Sequence, residues 1–174
     1  MMSGSLIKID EEIISTAVSS VTLTGIDSTY DVYKLVINNV HPSVADSNVG
    51  IRVTESGTAN STSNYDISNV FVRTNTAFGK TGLTDQDKFG FGSYIGTGDT
   101  GDRTQGVFYI FNANDSSEYT FITFEKLQTA ESDELTGNMG GGVFTSASTV
   151  DGVHIFINTG NMETGTFTLY GLNK

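Results

Sequence analysis

The chain has 174 residues, enough for one well-buried core and short for two domains. Twenty acids against nine bases give a formal charge of −11, and no two Lys or Arg are adjacent. Without a basic stripe to neutralise phosphates, nucleic acid is not an expected partner, and neither is an anionic membrane surface. There is no Cys, so neither a disulfide nor a thiolate metal site contributes, and the core or partner subunits must hold the fold.

Eleven Phe and seven Tyr, with many Val, Ile and Thr, favour pleated sheet over helix. Residues 1–11 begin the chain as an expected extended arm. Their Met-Met-Ser-Gly-Ser-Leu-Ile-Lys-Ile-Asp start offers no apolar stretch suited to a signal peptide, so export is expected by lysis or within a particle. Short strands are expected at Ile13–Thr16 and Val18–Thr24. In Tyr30–Asn39, Tyr33, Leu35 and Ile37 share one face while Val32 and Val36 flank Lys34 on the other. Pro42 should close that strand near Val40. Ile51 and Val53 alternate with Arg52 and Thr54 in a half-exposed strand, and Tyr65–Arg73 follows.

Thr74–Lys88 reads as the longest loop, an interaction element or a plain surface excursion. Phe89–Ile95 and Gly106–Asn112 are the next strands. The run Val107-Phe-Tyr-Ile-Phe111 is the longest apolar one, far below the roughly 20 residues of a membrane helix. Tyr119–Leu127 alternates, with Ile122 and Phe124 assigned to opposite faces. Met139–Thr145 comes next, then Val153, Ile155 and Ile157 alternating with His154, Phe156 and Asn158. Phe167 and Leu169 alternate near the end. Turns fall at Gly25–Ser28, Asp46–Asn48, Ser56–Asn64, Gly96–Asp102 and Asn112–Ser117, where Gly and Asn allow positive φ. No segment carries a helical period. The expectation is a single all-β domain over 1–174, an antiparallel two-sheet β-sandwich or a barrel.

Strings that mimic chemistry fail on context. Gly96-Thr-Gly98-Asp-Thr-Gly101 matches a dinucleotide fingerprint, yet it leads to a strand instead of a helix, and its acids would repel phosphate. Gly79-Lys80-Thr81 has the tail of a phosphate-binding loop, but Thr74 stands where its first Gly belongs. Asp99 and Asp102 offer oxygens for Ca²⁺ without the remaining ligands. His41 and His154 lack metal-site spacing. A Ser–His–Asp triad or a carboxylate pair can always assemble from distant positions, but no G-x-S-x-G elbow and no Trp platform supports one. Asn60-Ser-Thr62 and Asn114-Asp-Ser116 are formal sequons in loops. No catalytic, cofactor-binding or metal residue is assigned, and no enzyme activity is expected.

Three stretches carry a resemblance: Val21-Thr-Leu-Thr-Gly-Ile-Asp-Ser-Thr-Tyr-Asp-Val-Tyr-Lys-Leu-Val-Ile-Asn-Asn-Val-His-Pro42, Ile51-Arg-Val-Thr-Glu-Ser-Gly57 and Gly165-Thr-Phe-Thr-Leu-Tyr-Gly171. Asn64-Tyr-Asp66 follows the second and Gly140-Gly-Gly142 precedes the third. Together they resemble a family of small virion structural proteins of marine tailed bacteriophages, cyanophages among them. The resemblance implies a jelly-roll-like sandwich in the virion, as capsid decoration or as a tail part, and carries no catalytic residue. It further implies the major capsid protein or other virion proteins as partners and a homo-oligomer, for instance a trimer. The alternative is a tail fibre or tip module that binds a host glycan or protein through Ser56–Asn64, Thr74–Lys88 and Gly96–Asp102. Val21–Leu23 and Phe167–Leu169 are expected to pair near the ends of the chain.

Overall fold

The computed structural model describes residues 6–92, 94–98, 101–130 and 133–173. Among them are thirteen strands and no helix. These are β1 (Leu6–Ile14), β2 (Ser20–Thr24), β3 (Val32–Pro42), β4 (Val49–Glu55), β5 (Thr58–Ala59), β6 (Tyr65–Arg73), β7 (Phe78–Gln86), β8 (Phe89–Gly90), β9 (Thr104–Phe111), β10 (Thr120–Thr129), β11 (Leu135–Phe144), β12 (Gly152–Ile157) and β13 (Met162–Leu172). Eight form one antiparallel sheet in the order β1-β13-β3-β9-β10-β11-β6-β7. The second sheet runs β2-β12-β4-β5, and β8 pairs with the other end of β4.

The two sheets stack as a sandwich because alternate residues of each are apolar. On β10, Thr120, Ile122, Phe124, Lys126 and Gln128 are buried while Phe121, Thr123, Glu125 and Leu127 are exposed. Ile122 and Phe124 thus share the inner face, as a regular pleat requires, instead of facing opposite ways. Tyr33, Leu35 and Ile37 of β3, with Phe167 and Leu169 of β13, line the same interior. Val49, Ile51 and Val53 of β4 and Val153, Ile155 and Ile157 of β12 face them from the smaller sheet. Each such side chain contributes about 1.5–3 kcal/mol by leaving water. An aromatic cluster fills the centre, with Phe91 against Phe124 at 4.2 Å and Tyr65 edge-on to Phe89 at 4.8 Å. Gly142 makes room for it: a Cβ there would lie 2.8 Å from the Phe89 ring and 2.6 Å from the Asp66 carbonyl oxygen.

Turn chemistry sits where the composition places it. Gly25, Asp46, Ser56 and Asn112 all have positive φ. Buried tyrosines find partners in the turns: the Tyr33 hydroxyl donates to the Asp27 carbonyl at 2.6 Å, and that of Tyr65 donates to the Asn60 carbonyl at 2.7 Å.

Five expectations need correction. Leu6–Glu11 are not an arm but part of an edge strand, paired from Leu6↔Leu172 to Ile14↔Gly165; residues 1–5 lie outside the described residues. The supposed loop Thr74–Lys88 contains β7, an edge strand on β6. Its residues are mostly exposed on both faces, so no burial imposes an alternating pattern. Of Phe89–Ile95 only Phe89–Gly90 is strand, and Ile95 makes an isolated bridge to Ser47; Ser93 lies outside the described residues. Val21–Leu23 and Phe167–Leu169 do not pair, since β2 joins β12 in one sheet and β13 joins β1 and β3 in the other. The ends of the chain are still tied together, through β1 and β13. Ile122 and Phe124 are the fifth, as described.

Candidate functional site

Strand register arranges the outer face of the eight-stranded sheet into rows. Val36, Val107, Glu125, Met139, Val70 and Lys80 follow one another across β3, β9, β10, β11, β6 and β7. The neighbouring row holds Leu127, Gly137, Val72 and Phe78 on the last four of those strands. Phe78, on the edge strand, is 69% exposed, while Met139 at 56% and Val72 at 55% stand out on strands flanked on both sides. Gly137 leaves a notch in the row; a Cβ there would stand 3.4 Å from Leu127 and 3.5 Å from Val72. A mainly apolar groove of about 680 Å³ occupies this side of the Glu125–Met139 pair. A second of about 690 Å³ lies beyond it, lined by Lys34, Tyr109, Thr123 and Ser68. Lys34 reaches over the Tyr109 ring, 5.8 Å from its centre. Such a face can bury apolar area against another protein surface.

The outer face of the smaller sheet has the opposite character. Thr22, His154 and Arg52 form a row across β2, β12 and β4. Thr22 Oγ1 and His154 Nδ1 are 2.9 Å apart, and the imidazole stacks on Phe156. The Arg52 guanidinium lies 4.6 Å over that same Phe156 ring. Arg52 also donates to the Asp87 carbonyl at 2.8 Å and pairs with its carboxylate, which Lys88 meets from the other side. Partial burial, helped by the Arg52 charge, holds the His154 pKa below its ordinary value. The Lys88 hydrogen bond and then Arg52 hold the Asp87 carboxyl below the usual range. Among the described residues no carboxylate touches His154, so a Thr–His pair stands there without the third member that would orient it.

His41 meets Glu163 at 3.1 Å across β3 and β13, a contact between positions 122 apart that no sequence spacing announces. Gly96, Gly98 and Gly101 lie between β8 and β9, where the buried Asp102 accepts the Gly98 N–H at 2.8 Å and closes the turn. Asp99, the other proposed calcium oxygen, lies outside the described residues, as does Thr100. Gly79, Lys80 and Thr81 are in β7, with backbones paired to β6 instead of forming a cradle. Of the sequon residues, Asn60 accepts the Thr62 N–H at 2.9 Å within its turn. Among the described residues no group of three or more His, Asp or Glu is placed to hold a metal ion.

Sequence reasoning missed the apolar outer face. The only hint was Val32 and Val36 on the second face of β3; Leu127, Met139 and Phe78 stand alone in their segments and gather only through register.

No family model matches the chain. No curated protein matches it either. Among solved structures, a fructofuranosidase from Schwanniomyces occidentalis complexed with fructosylnystose aligns with 99% of this chain at 11% identity and a TM-score of 0.25. The chain spans 35% of the length of that structure, and a likeness this low carries no argument about fold or activity.

Proposed function

We propose that this protein is a non-enzymatic structural component of a tailed-phage virion, a decoration or cement protein held on the head. The observation that carries the reading is the apolar outer face around Val70, Val72, Phe78, Leu127 and Met139, which lies open on the larger sheet. Its occupant in this reading is the major capsid lattice. Contact would remove from water a patch that costs about 25 cal/mol for each Å² left exposed. The charge of −11 opposes non-specific aggregation through that patch. A jelly-roll-like relationship, a homo-oligomer such as a trimer, and the absence of enzyme activity or cofactor belong to the same proposal.

A tail fibre or tip module that binds a host glycan or protein is the second reading. Copy number in purified virions separates the two. Copies on the order of hundreds, with density for this chain on the head, are expected for a symmetric lattice. About a dozen or fewer would move it to the tail. Complete absence from purified particles would overturn both.

A further inference from the structure

The eight-stranded sheet ends in two edges that differ in chemistry. β1 carries Asp10, Glu11 and Glu12 and shifts register between Lys8 and Asp10. Its Asp10 carboxylate also accepts the Thr24 N–H at 2.8 Å, tying that edge to β2 of the smaller sheet. Acids and a bulge on an edge keep one sheet from pairing with another. In the smaller sheet β5 and β8 have two residues each, too short to offer a template. β7 has no such guard from Phe78 to Thr84. That stretch contains no Pro and no acid, its single charge is Lys80, and most of its residues are exposed. In a chain of charge −11, such an edge can approach a second copy without bringing carboxylates together.

The hairpin that leads into β7 fixes which of its backbone groups are free. Thr76 has φ 69°, its N–H donates to the Arg73 carbonyl at 2.9 Å, and the Arg73 N–H donates to the Ala77 carbonyl at 2.9 Å. Arg73 and Ala77 are thus a hydrogen-bonded pair. The alternation of an antiparallel ladder then makes Phe71–Gly79, Asn69–Thr81 and Ile67–Leu83 hydrogen-bonded pairs as well. The N–H and C=O of Phe78, Lys80 and Gly82 therefore point away from β6, along an edge that no strand pairs among the described residues. Asp85, at φ 56°, ends the regular run after Thr84.

We infer that two copies of this chain pair β7 to β7, antiparallel, about a two-fold axis at Thr81. This register sets Lys80 opposite the partner's Gly82 and Phe78 opposite the partner's Thr84, so outward groups meet outward groups. A slip of one residue would set them against groups already bonded to β6. A slip of two would put Lys80 against its own counterpart, or carry the pairing into the Asp85 irregularity. A Cβ on Gly82 would meet nothing, which leaves room for the stem of the partner's Lys80. Phe78, 69% exposed, and Leu83, 44% exposed, gain cover from the partner strand.

A strand paired with itself in this way closes at two copies. The axis stands perpendicular to the sheet, so the outer faces of both copies look the same way and form one wider surface. The inference deepens the homo-oligomer of the proposed function by naming its interface and making it a pair. Its test needs no particle, so its failure and that of the virion reading are distinguishable.

Sedimentation equilibrium on the full chain, from about 1 µM to about 1 mM, should show monomer and dimer in exchange. Gly82→Pro removes an N–H that points outward and should weaken the dimer by about 100-fold or more, with the circular dichroism of the monomer unchanged. Since the chain has no Cys, Thr81→Cys introduces a single thiol at the axis, in the closer, non-hydrogen-bonded kind of pair. Mild oxidation should convert that variant to a covalent dimer, while Thr84→Cys, far from its counterpart, should stay monomeric on denaturing gels. Leu127→Asp combined with Met139→Asp should dimerise as the parent does. The inference is overturned if the parent stays monomeric to about 1 mM, or if it forms trimers or open filaments. It is equally overturned if Gly82→Pro dimerises as tightly as the parent, or if Thr84→Cys cross-links as fast as Thr81→Cys.

Discussion

The two outer faces of this sandwich solve the same problem in opposite ways. On the smaller sheet, Arg52, Asp87, Lys88, His154 and Thr22 satisfy one another, and Phe156 is covered by a guanidinium. On the larger sheet, Met139, Val72, Phe78 and Leu127 stand exposed around a groove with little charge beside them. The first face is finished as it stands. The second has apolar area whose stabilising value is realised only when something covers it, which is why the docking proposal falls on the larger sheet.

The contrast breaks most readily at the docking face. Leu127→Asp combined with Met139→Asp should reduce association with particles lacking the protein by about 100-fold, while the melting temperature moves by only a few degrees. Equal binding by the double variant and the parent would remove the docking proposal. The same strand provides an internal control. Phe124→Ala, inside, should cost about 3–5 kcal/mol in chemical denaturation, whereas Phe121→Ala, 44% exposed outside, should cost less than about 1. Similar losses at both sites would mean that the outer face is covered within the monomer.

Lys126 sharpens the comparison from within. Its ammonium is buried between the sheets and donates to the Phe91 carbonyl at 2.7 Å. Burial pulls its pKa down to about 7 from 10.5. Between those values the unfolded chain holds the proton and the folded chain does not, so stability from this group rises with pH, by roughly 1 kcal/mol per unit. Lys126→Met should remove that rise in denaturation curves collected from pH 7 to 10 and leave the parent's other pH dependence in place. A difference between the two proteins that stays flat over this range would refute the buried-amine reading.

On the smaller sheet, Arg52→Ala should cost about 1 kcal/mol, because the pair with Asp87 is partly solvated and the contact with Phe156 is modest. The smallest effect belongs to His154. Its folded pKa lies below its ordinary 6.5, so the unfolded chain takes up the proton first and acidification through that window lowers stability. Arg52→Ala should raise the His154 midpoint in an NMR titration; an unmoved midpoint would leave burial as the sole cause.

Much of the architecture was legible in the chain. Tyr33, Leu35 and Ile37, and later Val153, Ile155 and Ile157, announce buried strand faces because a pleat buries every second residue. Gly25, Asp46 and Asn112 announce turns because they tolerate positive φ. β7 was not legible: an edge strand exposed on both faces has no reason to alternate, and its Gly-Lys-Thr reads as loop. Leu6–Glu11 looked like an arm because its acids and lysine hide the pairing that β13 supplies.

By itself the sequence determined an all-β, Cys-free, acidic chain whose alternating apolar residues need two layers. Periodicity and composition are local properties, and any strand carries them wherever it lies. Only the tertiary structure decided that Leu127, Met139, Val72 and Phe78 meet on one face, and that His154 meets Thr22 from 132 residues away. Register between strands sets those encounters, and register is fixed by how whole sheets stack, a constraint that no short window of residues contains.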